Sequence, residues 1–367
     1  ADTRYMALAL SLGRRGQGAT WPNPAVGCVI VKNNRIIGRG WTQSTGRPHA
    51  EAVALAQAGE QARGADVYVT LEPCAHHGKT PPCAQALIDA GVARVVMAIP
   101  DSDPRVDGLG AKMLRDAGIM VETGLLGDEA FADHDGFLRR TVMGRPMVTL
   151  KMASSFDGRI ATGTGESQWI TDAPARRVVH AMRARHDAVM VGGGTARHDD
   201  PSLNVRDLGI DHQPARVVIS RRLDLPLMGK LARTANDIPV ILCYGKDADP
   251  TLIKTWTDLG AHLLPCRVVN NQLDADDVLN QLGKHGLTRI FCEGGGALAA
   301  SLIRADLVDQ LVGFTAGLAI GAEGLPSIGT LGLDMLHEAR RFTLVETRKV
   351  GPDVMHIWTR AADADAF

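Results

Sequence analysis

The pattern that most narrows the possible folds is a repeated change of periodicity. Short apolar, β-branched runs, DVYVTL (66–71), RVVMAI (94–99) and IMVET (119–123), are separated by helical spacing over 83–90 and 108–117. Runs without polar alternation suit strands buried on both faces, and the intervening helices supply the cover. The first part of the chain therefore reads as an α/β sandwich with a mostly buried sheet. Ahead of these runs the spacing predicts a helix over 3–15, strands AVGCVIVK (25–32) and RIIGRGW (35–41), and a helix over 49–59. The Asn33-Asn34 step between the two strands is a hairpin turn signal. A second α/β series opens at GRPMVTLK (144–151) and runs through AVMVGG, ARVVIS, PVILCY, AHLLPC, RIFCEGG and VMHIWTR. At 367 residues the chain exceeds one ordinary core, so we expect two domains, 1–145 and 146–367. The closing AADADAF reads as a frayed tail.

Charge and composition exclude several function classes. Forty basic against forty-one acidic residues give no long-range attraction for a polyanion, and aromatic residues at 4% argue against stacking on single strands. The N-terminal ADTRYMALALSLGRRGQ carries Asp2 and Arg4 and lacks the run of a signal peptide. No segment approaches the ~18 consecutive apolar residues of a membrane span. Six cysteines without regular spacing suit cytosolic thiols or metal ligands better than a disulfide framework. A cytoplasmic protein is expected.

The densest chemistry lies in RPHAEAVAL (47–55) and YVTLEPCAHHGKTPPC (68–83). One imidazole and two thiolates, from His49, Cys74 and Cys83, suit zinc, and three protein ligands leave one coordination position for water. Pro48 and Pro81-Pro82 place His49 and Cys83 at predicted helix N-termini, where free amides favour thiolate charge. Glu51 is too near His49 in sequence to be an obvious extra ligand but can reach a metal-held water and move its protons. H-x-E followed by P-C and a second cysteine is the zinc deaminase signature, although eight residues separate the cysteines here, against two in the general form.

These blocks, with TWPNPAVGCVIV and VVMAIPDSDPRVDGLG, resemble the deaminase half of the bifunctional riboflavin-biosynthesis deaminase/reductase family. The resemblance implies a cytidine-deaminase-like α/β/α sandwich with one zinc per site. It also implies hydrolytic loss of the exocyclic amino group of 2,5-diamino-6-ribosylamino-4(3H)-pyrimidinone 5′-phosphate. Asn23 is a candidate contact to the pyrimidine edge, and equally a good turn residue beside proline. Lys79, ahead of His76 and His77, is our candidate for the substrate phosphate.

In the second half, Gly192, Gly193 and Gly194 follow one predicted strand, and Gly294, Gly295 and Gly296 join another to a helix. Such turns let backbone amides approach a phosphate, although neither is a G-x-G-x-x-G fingerprint. GRPMVTLKMASSFDGRIA, GESQWITDAPARRVVHAMRARHDAVMVGGGT, DDPSLNVR, CEGGG and VGPDVMHIW are similar to the reductase half of the same family, which implies a dihydrofolate-reductase-like α/β domain using NADPH. Carried over by position, Ala153, Trp169, Thr195, Asp199, Gly295, Gly296, Ala297, Leu298, Ala299, Ala300 and Ser301 match cofactor contacts. Ser167, Arg183, Leu203, Arg206 and Glu293 match substrate contacts, the arginines suiting a sugar phosphate. Arg221, with Arg222, is our candidate for the cofactor 2′-phosphate. Glu293 is a candidate proton donor, or merely a holder of a hydroxyl group. His134-Asp135, Asp172 and His198 depart from common family residues. A homodimer through the reductase domain is expected from the resemblance.

Two other readings stay open on the residues alone. One is a nucleoside or tRNA zinc deaminase fused to a nucleotide-binding domain. The other is a structural zinc needing a fourth ligand, for which Cys28 is the nearby cysteine; Cys243, Cys266 and Cys292 read as small strand residues.

Overall fold

The computed structural model describes residues 2–75, 81–103 and 107–360. Its chain divides into two compact units between Gly144 and Arg145.

The first unit runs α1 (Asp2–Gly13), β1 (Gly27–Lys32), β2 (Arg35–Trp41), α2 (Ala50–Ala58), β3 (Asp66–Val69), α3 (Cys83–Ala90), β4 (Arg94–Met97), α4 (Leu109–Asp116), β5 (Met120–Thr123) and α5 (Gly127–Met143). Its sheet has the order β2-β1-β3-β4-β5, antiparallel around β1 and parallel from β3 to β5. Asn33 and Asn34 close the β1–β2 hairpin with φ of 51° and 60°, a left-handed pair that asparagine tolerates. Helices α1 and α5 contact one another, as α2 does α3 and α3 does α4, giving the α/β/α layering. Helix α5 occupies a stretch to which periodicity assigned no element.

The placement of α2 decides where the chemistry falls. A Cβ on Gly38 would lie 2.3 Å from the Ala54 carbonyl oxygen, and one on Gly40 would lie 2.2 Å from that of Ala50. Only glycine allows so close a descent of helix onto strand. The first turn of α2 thereby reaches the level of the sheet.

The second unit runs β6 (Met147–Ser155), β7 (Arg159–Ala161), α6 (Ala173–Ala184), β8 (Ala188–Gly192), α7 (Gly193–Asp199), β9 (Ala215–Ile219), α8 (Lys230–Arg233), β10 (Val240–Gly245), α9 (Pro250–Asp258) and β11 (His262–Cys266). There follow β12 (Val268–Val269), β13 (Gln272–Leu273), α10 (Ala275–His285), β14 (Arg289–Cys292), α11 (Gly296–Arg304), β15 (Gln310–Ala316), β16 (Leu325–Pro326), β17 (Phe342–Val350) and β18 (Asp353–Arg360). The main sheet has nine strands in the order β11-β10-β9-β8-β14-β6-β15-β18-β17. The first seven are parallel, and β18 and β17 add antiparallel at one edge. Strand β8 is buried from Ala188 to Val191 and β14 from Ile290 to Cys292, as strands covered on both faces should be. Asp172, one of the departures noted above, caps α6 by accepting from the Ala173 N–H at 2.7 Å. Among the described residues no helix is long and apolar enough to cross a membrane.

Candidate functional site

In the first unit, His49 is the N-cap of α2 and makes no side-chain cap bond, which leaves its imidazole for other partners. Cys83 is the first residue of α3, and Cys74 sits in the loop after β3. His49 Nδ1 lies 3.2 Å from Cys83 Sγ and 3.7 Å from Cys74 Sγ. All three ligand atoms fall within 4.8 Å of one another. Tetrahedral zinc, with Zn–N and Zn–S bonds of about 2.0 and 2.3 Å, sets N···S separations near ~3.5 Å, so the donor set fits. Cys28 is fully buried on β1 and does not join this group; among the described residues the set has three members.

The electrostatics have the same origin. The hydrogen bond from the Cys83 thiol pulls Cys74 down to about 4 against the opposing effect of burial, with His49 assisting. Cys83 is pushed up by holding that proton, and His49 is raised by its bond to Cys74. A divalent cation displaces such a shared proton when it binds. Glu51, 4% exposed in the first turn of α2, is raised by burial and then by the Cys74 charge.

Asn23, His49, Glu51 and Cys74 line one cavity of about 380 Å³. Among the other residues lining that cavity, Arg47, Glu72, Asp101, Asp103, Phe137 and Arg140 carried no sequence signal of a role. Phe137 and Arg140 lie on α5, to which periodicity assigned no element. Asn23 packs across Gly46, whose φ is 88° and whose added Cβ would strike Asn23 Nδ2. Lys79, His76 and His77 lie outside the described residues.

In the second unit, both glycine clusters stand at the C-terminal ends of neighbouring parallel strands. Gly192 ends β8, Gly294 follows β14, and β6 lies beside β14. A cleft of about 850 Å³ opens there, lined by Ala153, Ser167, Thr195, Asp199 and Glu293. Gly295, Gly296, Ala297, Leu298 and Ala300 line it from the start of α11, with His198 from α7. Ligand crevices of open α/β sheets form at such strand ends.

Other candidates stand apart from that lining. Ala299 is fully buried in α11, while Trp169 is 67% exposed with the Arg176 guanidinium 4.4 Å from its ring centre. Ser301 lies farther along α11, and Leu203 is buried with φ of 53°. The Arg206 N–H donates to His180 Nδ1 at 3.3 Å. Arg221 pairs with Asp247 and faces a separate cavity of about 410 Å³ with Ser220, Arg222 and Arg197.

Arg183 and Glu293 meet as a bidentate pair, Nε to Oε1 at 2.6 Å and Nη2 to Oε2 at 2.9 Å. Lys151, which the sequence reading left without a role, approaches the same carboxylate at 3.9 Å and lines the cleft. Burial lowers Lys151 despite that carboxylate. Burial by itself would raise Glu293, but the Arg183 and Lys151 charges outweigh it and hold the group at about 2.

The fold and these two sites define a deaminase-type zinc centre and a nucleotide-type cleft carried on one chain. Residues 1–99 match the cytidine and deoxycytidylate deaminase zinc-binding region, and residues 146–356 match the RibD C-terminal domain. Riboflavin biosynthesis protein RibD of Escherichia coli is 42% identical over 96% of this chain and 98% of its own. That of Aquifex aeolicus is 38% identical over 98% of each. A solved structure of Acinetobacter baumannii RibD, 38% identical, superposes with a TM-score of 0.88 over 98% of this chain and 99% of that one. The Thermotoga maritima diaminohydroxyphosphoribosylaminopyrimidine deaminase/5-amino-6-(5-phosphoribosylamino)uracil reductase, 31% identical, does so with 0.85 over the same shares. The chain belongs to the RibD family. It is a bifunctional enzyme, with a zinc deaminase domain and a reductase domain that uses NADPH.

The depressed Glu293 contributes stability that is complete above the unfolded carboxylate value of ~4.3 and is lost as pH falls through about 2. Glu293→Gln should therefore flatten the pH dependence of the reductase-domain urea midpoint between those limits. A slope equal to that of the wild type would show that the pair does not act this way.

Proposed function

We propose that residues 1–145 remove the exocyclic amino group of 2,5-diamino-6-ribosylamino-4(3H)-pyrimidinone 5′-phosphate. Residues 146–367 then reduce the ribosyl group of the product, 5-amino-6-(5-phosphoribosylamino)uracil, to a ribityl chain. The observation that carries this reading is the His49–Cys74–Cys83 donor set sharing a cavity with the buried Glu51.

His49, Cys74 and Cys83 would hold the zinc, which would supply a water acidified enough to ionise, and so to act as a nucleophile, near neutral pH. Glu51 carries one proton of the attacking water to the ring nitrogen and the second to the amino group as the C–N bond breaks and ammonia departs, while Asn23 and Lys79 hold the pyrimidine edge and the phosphate. In the reductase, NADPH would supply the hydride for C1′ of the ribosylamino group, with the ring C1′–O4′ bond breaking and O4′ taking up a proton. Ala153, Thr195, Asp199, Trp169 and the 295–301 segment orient the cofactor. Ser167, Arg183, Leu203, Arg206 and Glu293 bind the substrate, whose phosphate suits the two guanidinium groups.

We further place the enzyme in the cytoplasm, acting on small molecules and not on nucleic acid, as its balanced charge favours. We propose a homodimer through the reductase domain. Strand β17 is an edge strand, and Leu333, Met335, Leu336, Leu344 and Val345 on and before it are exposed. A solution mass equal to one chain by light scattering at assay concentration would remove the dimer.

Glu51→Gln should keep one zinc per chain and release no ammonia, and NADPH oxidation on the diamino substrate should stop with it. Normal ammonia release by that variant would refute the proton role. Arg221→Ala should cut the preference for NADPH over NADH by about tenfold, the loss of one charge-assisted contact. An unchanged preference would move the 2′-phosphate away from Arg221.

A further inference from the structure

One wall of the deaminase cavity is tied to a buried carboxylate. Glu72 lies between β3 and Cys74 and is 3% exposed. Its backbone N–H donates to the Ile99 carbonyl at 3.1 Å, prolonging the β3–β4 pairing. Its side chain accepts three backbone N–H groups from the segment after β4 and the start of α4. Asp101 and Gly108 donate to Oε2 at 3.2 and 3.1 Å, and Ala111 donates to Oε1 at 2.9 Å.

Gly108 is the N-cap of α4 and has no side chain to satisfy the free amides there. Glu72 supplies that acceptor from another segment, and its negative charge suits the positive end of the helix. The start of α4 packs directly on the neighbouring residue, since a Cβ on Gly110 would lie 2.0 Å from the Pro73 carbonyl oxygen. Within the clasped loop, Asp101 Oδ1 accepts the Asp103 N–H at 2.8 Å. Glu72, Asp101 and Asp103 line the same cavity as His49, Glu51 and Cys74.

We infer that Glu72 is a positioning residue of the deaminase. It is not one of the His49–Cys74–Cys83 donors and is not the proposed proton carrier. Its carboxylate ties the 101–103 wall and the start of α4 to the segment that carries Cys74, so that the pocket is formed before substrate arrives. The energetic reason is that a buried carboxylate accepting several N–H groups holds them more firmly than neutral acceptors do, and a neutral isostere leaves both sides unsatisfied. The inference rests on the deaminase reading above and assigns a positioning role within that site.

Glu72→Gln preserves size but turns an amide NH₂ toward backbone donors. In ammonia release from the diaminopyrimidinone phosphate, KM should rise about tenfold or more while kcat falls by less. Zinc should stay at one per chain, and the same chain should reduce the deaminated substrate at the wild-type rate. Hydrogen exchange at the amides of Gly108 and Ala111 should quicken in the zinc-loaded variant. An unchanged KM or unchanged exchange overturns the inference. So does loss of zinc with reductase activity intact, which would make Glu72 a support of the metal ligands instead. If the wild-type chain itself releases no ammonia, the deaminase reading fails, and hydrogen exchange still tests the clasp.

Discussion

The close contact between α2 and β2 is the constraint on which the deaminase site depends. Because Gly38 and Gly40 carry no Cβ, the helix lies against the strand backbone and its first turn reaches the sheet. His49 and Glu51 arrive there together, since the N-cap and the second helical residue share one helix end. The start of α3 and the loop after β3 then need only bring one thiol each. An imidazole, two thiols and a carboxyl sunk in a protein interior are costly unless they share partners, and a common cation is the partner this donor set suits.

The second unit solves a different problem with the same topological device. Strands β8, β14 and β6 are neighbours and parallel, so their C-terminal ends open on one side, and the turns that follow are rich in glycine. Backbone there can approach a phosphate without steric cost. The charged side chains in and beside this cleft set its sign: Lys151 and Arg304 in its lining and Arg183 beside it, against the carboxylates of Glu293 and Asp199, leave a local excess of positive charge, appropriate to an anionic ligand.

The two carboxyls at these sites are pushed in opposite directions, although both are buried. For Glu51, burial and the Cys74 charge together outweigh the pull of His49, so its proton is held more tightly. Glu293 has two cations near it, and their field outweighs the same burial cost. The group proposed to pass protons and the group that stays ionised to hold its partners are thus distinguished by neighbours that lie far away in sequence.

Motifs that pack several reactive side chains into short spacing were legible in the chain itself. H-x-E with its two cysteines, the proline-marked helix starts and the alternation of buried strands and helices follow from local chemistry and period, which need no knowledge of distant residues. Helix α5 was not legible, because its buried face holds Ala130, His134, Gly136 and Leu138, a stripe with little apolar contrast. His134 is accommodated there by the Thr70 hydroxyl, 3.0 Å away on another segment. Edge strand β17 is exposed along most of its length and gives no clear period. The sequence by itself determined which residue types could bind a metal and a phosphate, and the α/β layering that would carry them. Only tertiary structure decided that Lys151 meets Glu293, that Arg221 meets Asp247 and that Glu72 caps a helix nearly forty residues on. Those pairings depend on strand order, and no local pattern of residues encodes which strand becomes whose neighbour.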